Sequence, residues 1–258
     1  LITKKTKAII PVHMLGVPAD MASINKIGKR FKIPIIEDAC EAIGAKVAKK
    51  YVGGLSEFGV FSFDFGKMIT TGEGGALFSK KKNDGKIARM YHDHGHKNIP
   101  DLPRGLDRAG LIGFNYRMTE ISGAFGKVQL GKFSGILKES KKRYLTLERY
   151  ISHNQIKLRH VNLGNEPNYD TFVISIENKK LRNQVISLLN QSGFGTKNLP
   201  DAFNWHCAYF WKHINKKIRN NEVTNSYKRL LRCVAIPILV SRPIIDYKNI
   251  ASYINELS

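Results

Sequence analysis

The sequence predicts an α/β protein with two domains, a larger one over residues 1–150 and a smaller α/β one over residues 151–258. The first observation is an apolar run at 8–12, followed by a helical pattern at 20–32 and a second apolar run at 33–36. A strand, a helix and a strand within about thirty residues form a βαβ unit, which implies a mostly parallel sheet. The second observation is that a carboxylate and a lysine follow successive strands of this sheet.

The remaining elements follow from periodicity and chain-breaking residues. Alternating Phe61, Phe63 and Phe65 predict a half-buried strand with one aromatic face. A long helix is expected to bridge the two domains, and the smaller domain alternates strands and helices again. The other elements are predicted as strands at 76–78, 169–176, 193–197 and 233–238, and as helices at 84–97, 119–154, 181–191 and 247–257.

The composition is that of an ordinary globular protein with an unusual charge. Hydrophobic residues make up 42% of the 258 residues, and no apolar run approaches the length of a membrane span. The 42 basic residues exceed the 21 acidic ones, which gives a net charge of +21. These basic residues are spread along the chain without a recognition motif, so we interpret them as solvated surface rather than a nucleic-acid interface. Three scattered cysteines, Cys40, Cys207 and Cys233, form no disulfide framework, so we expect a reducing, cytoplasmic setting.

Asp38 and Lys67 are the candidate chemical groups of the predicted sheet. Ligands of parallel sheets bind at the carboxyl ends of the strands, where Asp38 ends the second strand and Lys67 follows the next one. A lysine in a partly desolvated place presents a neutral amine more readily, and neutral amines form Schiff bases with aldehydes. Taken alone, a solvated loop lysine and a turn or helix-cap carboxylate are the commoner interpretations.

Three motifs in a fixed order make the pattern specific. They are IIEDACEAIGA at 35–45, SFDFGKMITTGEGG at 62–75 and GFNYRMTE at 113–120. Together they cover most of residues 7–135 and resemble the DegT/DnrJ/StrS family of aminotransferases, which use pyridoxal phosphate (PLP) to place amino groups on keto-sugars. The Gly-Glu-Gly-Gly bend alone would mean little, but three motifs in the family's order are a strong match.

The resemblance implies a PLP fold-type I aminotransferase and gives each candidate residue a role. Lys67 would be catalytic and bind the cofactor's aldehyde, and Asp38 would face its pyridine nitrogen and keep it protonated. Glu41 would lie near the phenolic oxygen, where relatives commonly have Gln or His, and Ser62 would bind the phosphate. Asn115 would reach the cofactor phosphate of the neighbouring subunit, so we expect a homodimer with a shared active site.

The resemblance also implies the substrates and the extent of the chain. We expect a keto-sugar, either nucleotide-linked or acidic such as an octulosonate, and glutamate as the amino donor, in the synthesis of surface polysaccharides or secondary-metabolite sugars. The chain begins with Leu1, and relatives have a substantial segment before this point, including a loop that holds the cofactor phosphate. We therefore expect a C-terminal fragment whose large domain is incomplete.

Side chains around the third motif raise two further possibilities. His92, His94 and His96 alternate as metal ligands on a strand would, but no fourth ligand is obvious, so we expect no metal. Arg104 and Arg108 lie on the polar loop 98–111 and are candidates for contact with phosphate or carboxylate groups.

Three other functions stay open on the sequence. One is a sugar dehydratase of the same fold, which Lys67 disfavours because those relatives replace the lysine with histidine. Another is a regulatory relative that binds PLP or a sugar without turnover. The third is a basic nucleic-acid binder, which a steep salt dependence of DNA binding would support.

Overall fold

The computed structural model describes residues 2–107, 110–211 and 221–258, without the side chains of residues 221–223. The chain divides into two compact units. The first unit comprises Leu1–Gly135 and Val161–Asn168, and the second comprises Ile136–His160 and Tyr169–Ser258. The domain boundary predicted after residue 150 falls inside the second unit and stays a prediction.

The described elements are nine strands and seven α-helices, and both types occur in each unit. The strands are β1 Ile36–Asp38, β2 Lys46–Val47, β3 Lys50–Tyr51, β4 Phe58–Ser62, β5 Gly75–Ser79, β6 Ile156–Leu158, β7 Asn165–Glu166, β8 Thr171–Ile176 and β9 Cys233–Pro237. The helices are α1 Met21–Phe31, α2 Lys82–His92, α3 Glu120–Tyr150, α4 Lys179–Gln191, α5 Phe203–His206, α6 Asn221–Leu230 and α7 Ile244–Asn255.

The sheet that positions the candidate site lies in the first unit and has the strand order β1-β4-β5. Strands β1 and β4 run parallel, with Asp38 opposite Val60, and β5 returns antiparallel to β4. The predicted strand at 8–12 is not continuous, but its residues Ile9 and Val12 form isolated parallel bridges to the β1 segment. This confirms the predicted parallel arrangement around α1.

Helix α1 begins and ends where its local chemistry requires. The carboxylate of Asp20 accepts a hydrogen bond from the Ser23 N–H at 3.2 Å, which satisfies one of the free donors of the first turn. Lys32 follows the helix in a left-handed conformation with φ of 54°, and its N–H donates to the last turn. The predicted helix at 20–32 is confirmed.

Two predicted strands differ from the structure. Strand β4 ends at Ser62, because the Phe63 N–H donates to Gly74 and the Phe63 carbonyl accepts from Thr71, so the chain already turns there. Phe65 is consequently 83% exposed. The segment predicted as a strand at 193–197 is irregular, although the Lys197 N–H donates to the Ala235 carbonyl of β9.

The second unit has an antiparallel sheet of order β6-β8-β9. Strand β8 is buried along nearly its whole length, which matches its run of β-branched and aromatic residues. Helices α4 and α7 and the second half of α3 cover this sheet with apolar side chains. The core residues include Tyr144, Leu147, Tyr169, Phe172, Ile174, Ile176, Leu181, Leu189, Phe194, Ile236, Tyr247, Ile250 and Ile254. Among the described residues, no helix is both long enough and apolar enough to span a bilayer.

Candidate active site

Asp38 lies at the carboxyl end of β1, as the βαβ pattern predicts. Its N–H donates to the Pro11 carbonyl at 2.9 Å, and the following residue, Ala39, donates to Val60 of β4 at 2.9 Å. The strand end is therefore held from both sides. The half-buried Asp38 carboxylate accepts a hydrogen bond from the Cys40 N–H at 3.1 Å, which fixes its direction at the edge of the sheet.

Lys67 follows β4 in a tight turn at the same edge. Its N–H donates to the Asp64 carbonyl at 3.2 Å, and its side chain is only 17% exposed. The Nζ atom lies 3.6 Å from Asp64 Oδ2 and 3.7 Å from Glu41 Oε1. The amine is thus a partly desolvated cation between two carboxylates, and neither contact is short enough to be a strong hydrogen bond.

Glu41 uses its two carboxylate oxygens differently. Oε2 accepts a hydrogen bond from the Leu15 N–H at 3.0 Å, whereas Oε1 is the atom near Lys67. The Glu41 side chain is 11% exposed. The carboxylate is therefore anchored to the backbone on one side and presented to the lysine on the other.

The Cys40 thiol shows that these charged groups share one environment. Burial, followed by the hydrogen bond and the negative charge of Asp38, raises its pKa to about 12. The Glu41 charge acts in the same direction, while the Lys67 charge lowers the pKa. Asp38, Glu41 and Lys67 are thus close enough to act on the same sulfur atom, and the thiol stays protonated at neutral pH.

Ser62 and Asn115 have different neighbours. Ser62 is the last residue of β4, and its Oγ accepts a hydrogen bond from the Asp64 N–H at 3.3 Å, in the turn that carries Lys67. Asn115 forms an isolated antiparallel bridge with Asp93, and its Oδ1 accepts from the Arg117 N–H at 3.4 Å. The structure thus brings Asp38, Glu41, Ser62 and Lys67 to one edge of the sheet, and these contacts do not link Asn115 to them.

A second charged cluster surrounds Asp93. Arg117 donates to Asp93 Oδ1 at 2.5 Å, and Arg104 donates to the same oxygen. Burial tends to raise the pKa of Asp93, but the hydrogen bonds from Arg117, Asn98 and Arg104 outweigh it and lower the pKa to about 2. Arg104, predicted as a contact for phosphate or carboxylate groups, is therefore paired within the chain. Arg108 lies outside the described residues.

The alternating histidines lie in different surroundings. His92 Nδ1 lies 2.5 Å from the Arg89 carbonyl, and His96 Nδ1 lies 3.9 Å from Asp107 Oδ2. His94 adopts a left-handed conformation with φ of 54°. Over the ranges that the structure describes, no three histidine, cysteine or acidic side chains are placed to hold one metal ion.

Sequence reasoning did not identify His13 and Glu37 as part of this region. Both side chains are completely buried, and His13 Nε2 lies 3.2 Å from Glu37 Oε2. The available signal was a charged residue at a core position of an apolar strand, directly before Asp38. A buried charge requires partners, so this position predicted a hydrogen-bond network that the sequence alone did not locate.

The groups at the sheet edge fit PLP. Lys67 offers an amine to an aldehyde, Asp38 offers a carboxylate to a pyridine nitrogen, and the Ser62 hydroxyl is a donor suited to phosphate. One cofactor ring must contact both Asp38 and Lys67, so the two side chains must lie close together. Both are near enough to the Cys40 thiol to affect its pKa, which agrees with this requirement. The donor set and its location are therefore compatible with the cofactor.

The fold is that of the PLP fold-type I aminotransferases. The aminotransferase PseC of Helicobacter pylori, involved in the biosynthesis of pseudoaminic acid, aligns with 99% of this chain and 68% of its own length at 22% identity, with a TM-score of 0.83. The aminotransferase of Psychrobacter cryohalolentis aligns with 99% of this chain and 69% of its own at 21% identity, with a TM-score of 0.81. At such identities the likeness concerns the fold alone.

The sequence comparison then gives the family. A model of the DegT/DnrJ/EryC1/StrS aminotransferase family matches residues 1–254, and the chain belongs to this family, whose members depend on PLP. The GDP-perosamine synthase of Caulobacter vibrioides is 42% identical over 130 residues, which are 50% of this chain and 34% of that protein. The enzyme of the same name from Escherichia coli is 42% identical over 129 residues. The matched region thus spans about a third of the length of these curated relatives.

Proposed function

We propose that the whole protein transfers an amino group from an amino acid to a keto-sugar, with PLP as its cofactor. The observation that carries this proposal is the partly buried Lys67 amine, 3.7 Å from the anchored Glu41 carboxylate and at the same sheet edge as Asp38. Membership of the aminotransferase family supports the same reaction class. A lysine at this position also argues against the dehydratase alternative.

Each side chain contributes a separate part of the chemistry. When bound, PLP supplies an electron-withdrawing ring that stabilises the negative charge formed as a proton leaves the Cα atom. Asp38 orients that ring by accepting the hydrogen of its pyridine nitrogen. Lys67 would hold the aldehyde end and, once the amino donor has displaced it, its free amine would take the proton from the Cα atom and return it as general base and acid. Ser62 would bind the phosphate, and Glu41 would position the lysine and the phenolic oxygen.

The substrate proposal is a nucleotide-linked keto-sugar with glutamate as the amino donor. The two relatives carry the name of a nucleotide-linked amino sugar, which supports this class over an acidic octulosonate. The net charge of +21 favours anionic substrates of either kind through long-range attraction. We place this activity in the cytoplasm and in the synthesis of surface polysaccharides or secondary-metabolite sugars.

The partner proposal is a second copy of the same chain. Several large apolar side chains around the third motif and the first half of α3 are at least half exposed. They are Ile112, Ile121, Phe125, Val128 and Leu130, with exposures of 89%, 84%, 50%, 56% and 55%. Such a concentration of apolar surface is typical of an interface. In a dimer with a shared site, Asn115 would serve the cofactor phosphate of the neighbouring subunit.

The decisive variant is Lys67→Ala. We expect the full-length protein to show the absorption band of lysine-bound PLP, and the variant to lose both the band and transamination, because Lys67 is the amine that we assign to the cofactor's aldehyde. Lys86→Ala, at an exposed lysine of α2, is the matched control and should keep both. A band that survives Lys67→Ala would refute the assignment of the lysine.

A mixing experiment tests the shared site. Lys67→Ala and Asn115→Ala should each be inactive alone. After mixing and exchange of subunits, half of the dimers carry one copy of each variant, and each such dimer has one intact site. Activity should therefore recover to about a quarter of the wild-type rate. Absence of recovery, with exchange verified by mass, would show that Asn115 does not act across subunits.

A further inference from the structure

His13 lies in the loop 13–17, which follows the parallel bridges of Ile9 and Val12, and both of its ring nitrogens have hydrogen-bond partners. His13 Nδ1 accepts a hydrogen bond from the Ala19 N–H at 3.0 Å, and Nε2 lies 3.2 Å from Glu37 Oε2. Because Nδ1 is an acceptor, Nε2 carries the hydrogen and donates it to the glutamate. The ring is completely buried, so these two contacts define both its tautomer and its orientation.

Glu37 receives more hydrogen bonds than its place in β1 requires. Besides His13, it accepts from the Gly53 N–H at 2.8 Å and from the Ser56 N–H at 2.6 Å. Burial tends to raise the pKa of Glu37, but these hydrogen bonds, with that of His13 the largest, outweigh it and lower the pKa. A completely buried, ionised carboxylate is thus held by three donors from two segments of the first unit, the loop at 13–17 and the loop at 52–57.

The same loop reaches both acidic residues of the candidate site. The His13 N–H donates to the Asp38 carbonyl at 2.9 Å, and the Leu15 N–H donates to Glu41 Oε2 at 3.0 Å. Leu15 can point its N–H there because it adopts a left-handed conformation with φ of 52°. Asn168 secures the loop from a distant part of the sequence, since its N–H donates to the Gly16 carbonyl and its Nδ2 donates to the Glu41 carbonyl.

We propose that His13 is a positioning residue, which locks the loop 13–17 onto Glu37 and thereby holds the Asp38 and Glu41 carboxylates in their working directions. The proposal rests on the proposed function, because it concerns the carboxylates assigned to the cofactor and to Lys67. Each of these contacts is next to a group assigned to the chemistry. Asp38 directly follows Glu37 in the strand, and Glu41 Oε1 faces the Lys67 amine while Oε2 is bound to the Leu15 N–H. Small displacements of groups that must meet a cofactor cost rate rather than affinity.

Three variants separate positioning from simple packing. His13→Gln retains one acceptor and one donor on a side chain of similar reach, whereas His13→Phe fills the space and retains neither. The matched control is His153→Phe, since His153 also has both ring nitrogens bonded: Nδ1 accepts from the Gln155 N–H at 3.1 Å, and Nε2 lies 3.2 Å from the Leu257 carbonyl. His153 belongs to the second unit, so its loss tests only general stability.

The first measurement needs no activity. Nitrogen-15 NMR of the full-length protein without cofactor should show the Nε2–H tautomer for His13. The second compares rates with PLP bound. We expect His13→Phe to lower kcat by about tenfold or more, the size seen for groups that orient metal ligands, with KM for the donor changed by less than about twofold. His13→Gln should restore most of kcat, and His153→Phe should leave it unchanged.

The outcomes distinguish the two proposals. A wild-type protein that neither binds PLP nor transaminates refutes the proposed function. A wild-type protein that does both, with His13→Phe at the wild-type rate or an Nδ1–H tautomer, overturns the role of His13 alone. A loss in His13→Gln as large as in His13→Phe also counts against hydrogen bonding as the cause. If His13→Phe does not fold, Glu37→Gln takes its place, since it keeps the shape of the carboxylate and weakens its hold on the loop.

Discussion

The interiors of the two units are stabilised by different kinds of contact. The second unit buries a large apolar cluster, with Tyr144, Leu147 and Phe172 among its largest members, and its buried charged residues Arg143 and Asp170 keep 7% and 8% exposure. The first unit buries Glu37 and His13 completely, beside a small cluster of apolar residues such as Ala39 and Val52. Burial of ions costs free energy unless each is paired and hydrogen-bonded. The unit that would do the chemistry therefore depends on polar partners, and the other depends on apolar contact area.

The largest effect on stability is expected when one completely buried residue is replaced in each unit. Glu37→Ala leaves His13, the Gly53 N–H and the Ser56 N–H without their acceptor, so we expect a loss of about 3–5 kcal/mol in the free energy of unfolding of the first unit. Leu147→Ala, at a fully buried position of α3, should cost the second unit a similar 2–5 kcal/mol or so through the cavity it leaves.

Hydrogen exchange resolved by residue is the measurement for this pair. Each variant should reduce protection mainly in its own unit, because the hydrogen bonds of Glu37 lie within the first unit and the apolar cluster around Leu147 lies within the second. Equal loss of protection in both units after either change would show that they unfold as one cooperative body. The polar interior of the first unit and the apolar interior of the second would then not contribute independently to the free energy of unfolding.

A smaller test compares helix caps of the two units. Asp20 accepts from the Ser23 N–H at the start of α1, and Asn178 accepts from the Lys180 and Leu181 N–H groups at the start of α4. Asn178→Ala should cost about 1 kcal/mol in denaturant unfolding, and Asp20→Ala should lower the stability in the same direction. A cost near zero for Asp20 alone would mean that the end of α1 is stabilised mainly by its packing.

The smallest effect concerns pH. The pKa of Asp93 is lowered to about 2, so its ion pairs with Arg104 and Arg117 stabilise the fold fully above the ordinary Asp value, and the stabilisation is lost as the pH falls toward about 2. Because the arginine side chains are 50% and 38% exposed, solvent screening limits the effect to roughly 1 kcal/mol or less.

Unfolding of Asp93→Asn from pH 5 to pH 2 provides the check. The variant should lose less stability on acidification than the wild type over this range. Glu139→Gln is the matched change in the second unit, where an exposed carboxylate meets Lys142 and Arg143, and it should alter the pH profile less. Identical acid profiles for wild type and Asp93→Asn would show that the arginine contacts contribute no net stability.

The βαβ pattern and the site motifs were predictable because they depend on local sequence. Asp20 before an amphipathic segment predicts α1, and a carboxylate and a lysine after successive strands predict a common edge. The strand predicted through Phe65 was wrong because the Phe63 N–H donates to the Gly74 carbonyl and the Phe63 carbonyl accepts from the Thr71 N–H, which ends β4 earlier. Those partners lie several residues further on, in a turn whose geometry no periodicity encodes.

The sequence by itself determined the order of elements, the family and the residues available for chemistry, since propensity, capping and motif spacing are local properties. Only the tertiary structure decided which oxygen of Glu41 faces Lys67 and that Arg104 pairs with Asp93. It also decided that Glu37 and His13 meet in the interior. The physical reason is that a buried charge must find partners wherever the fold brings donors together, and those donors come from residues 16 to 24 positions away in the chain.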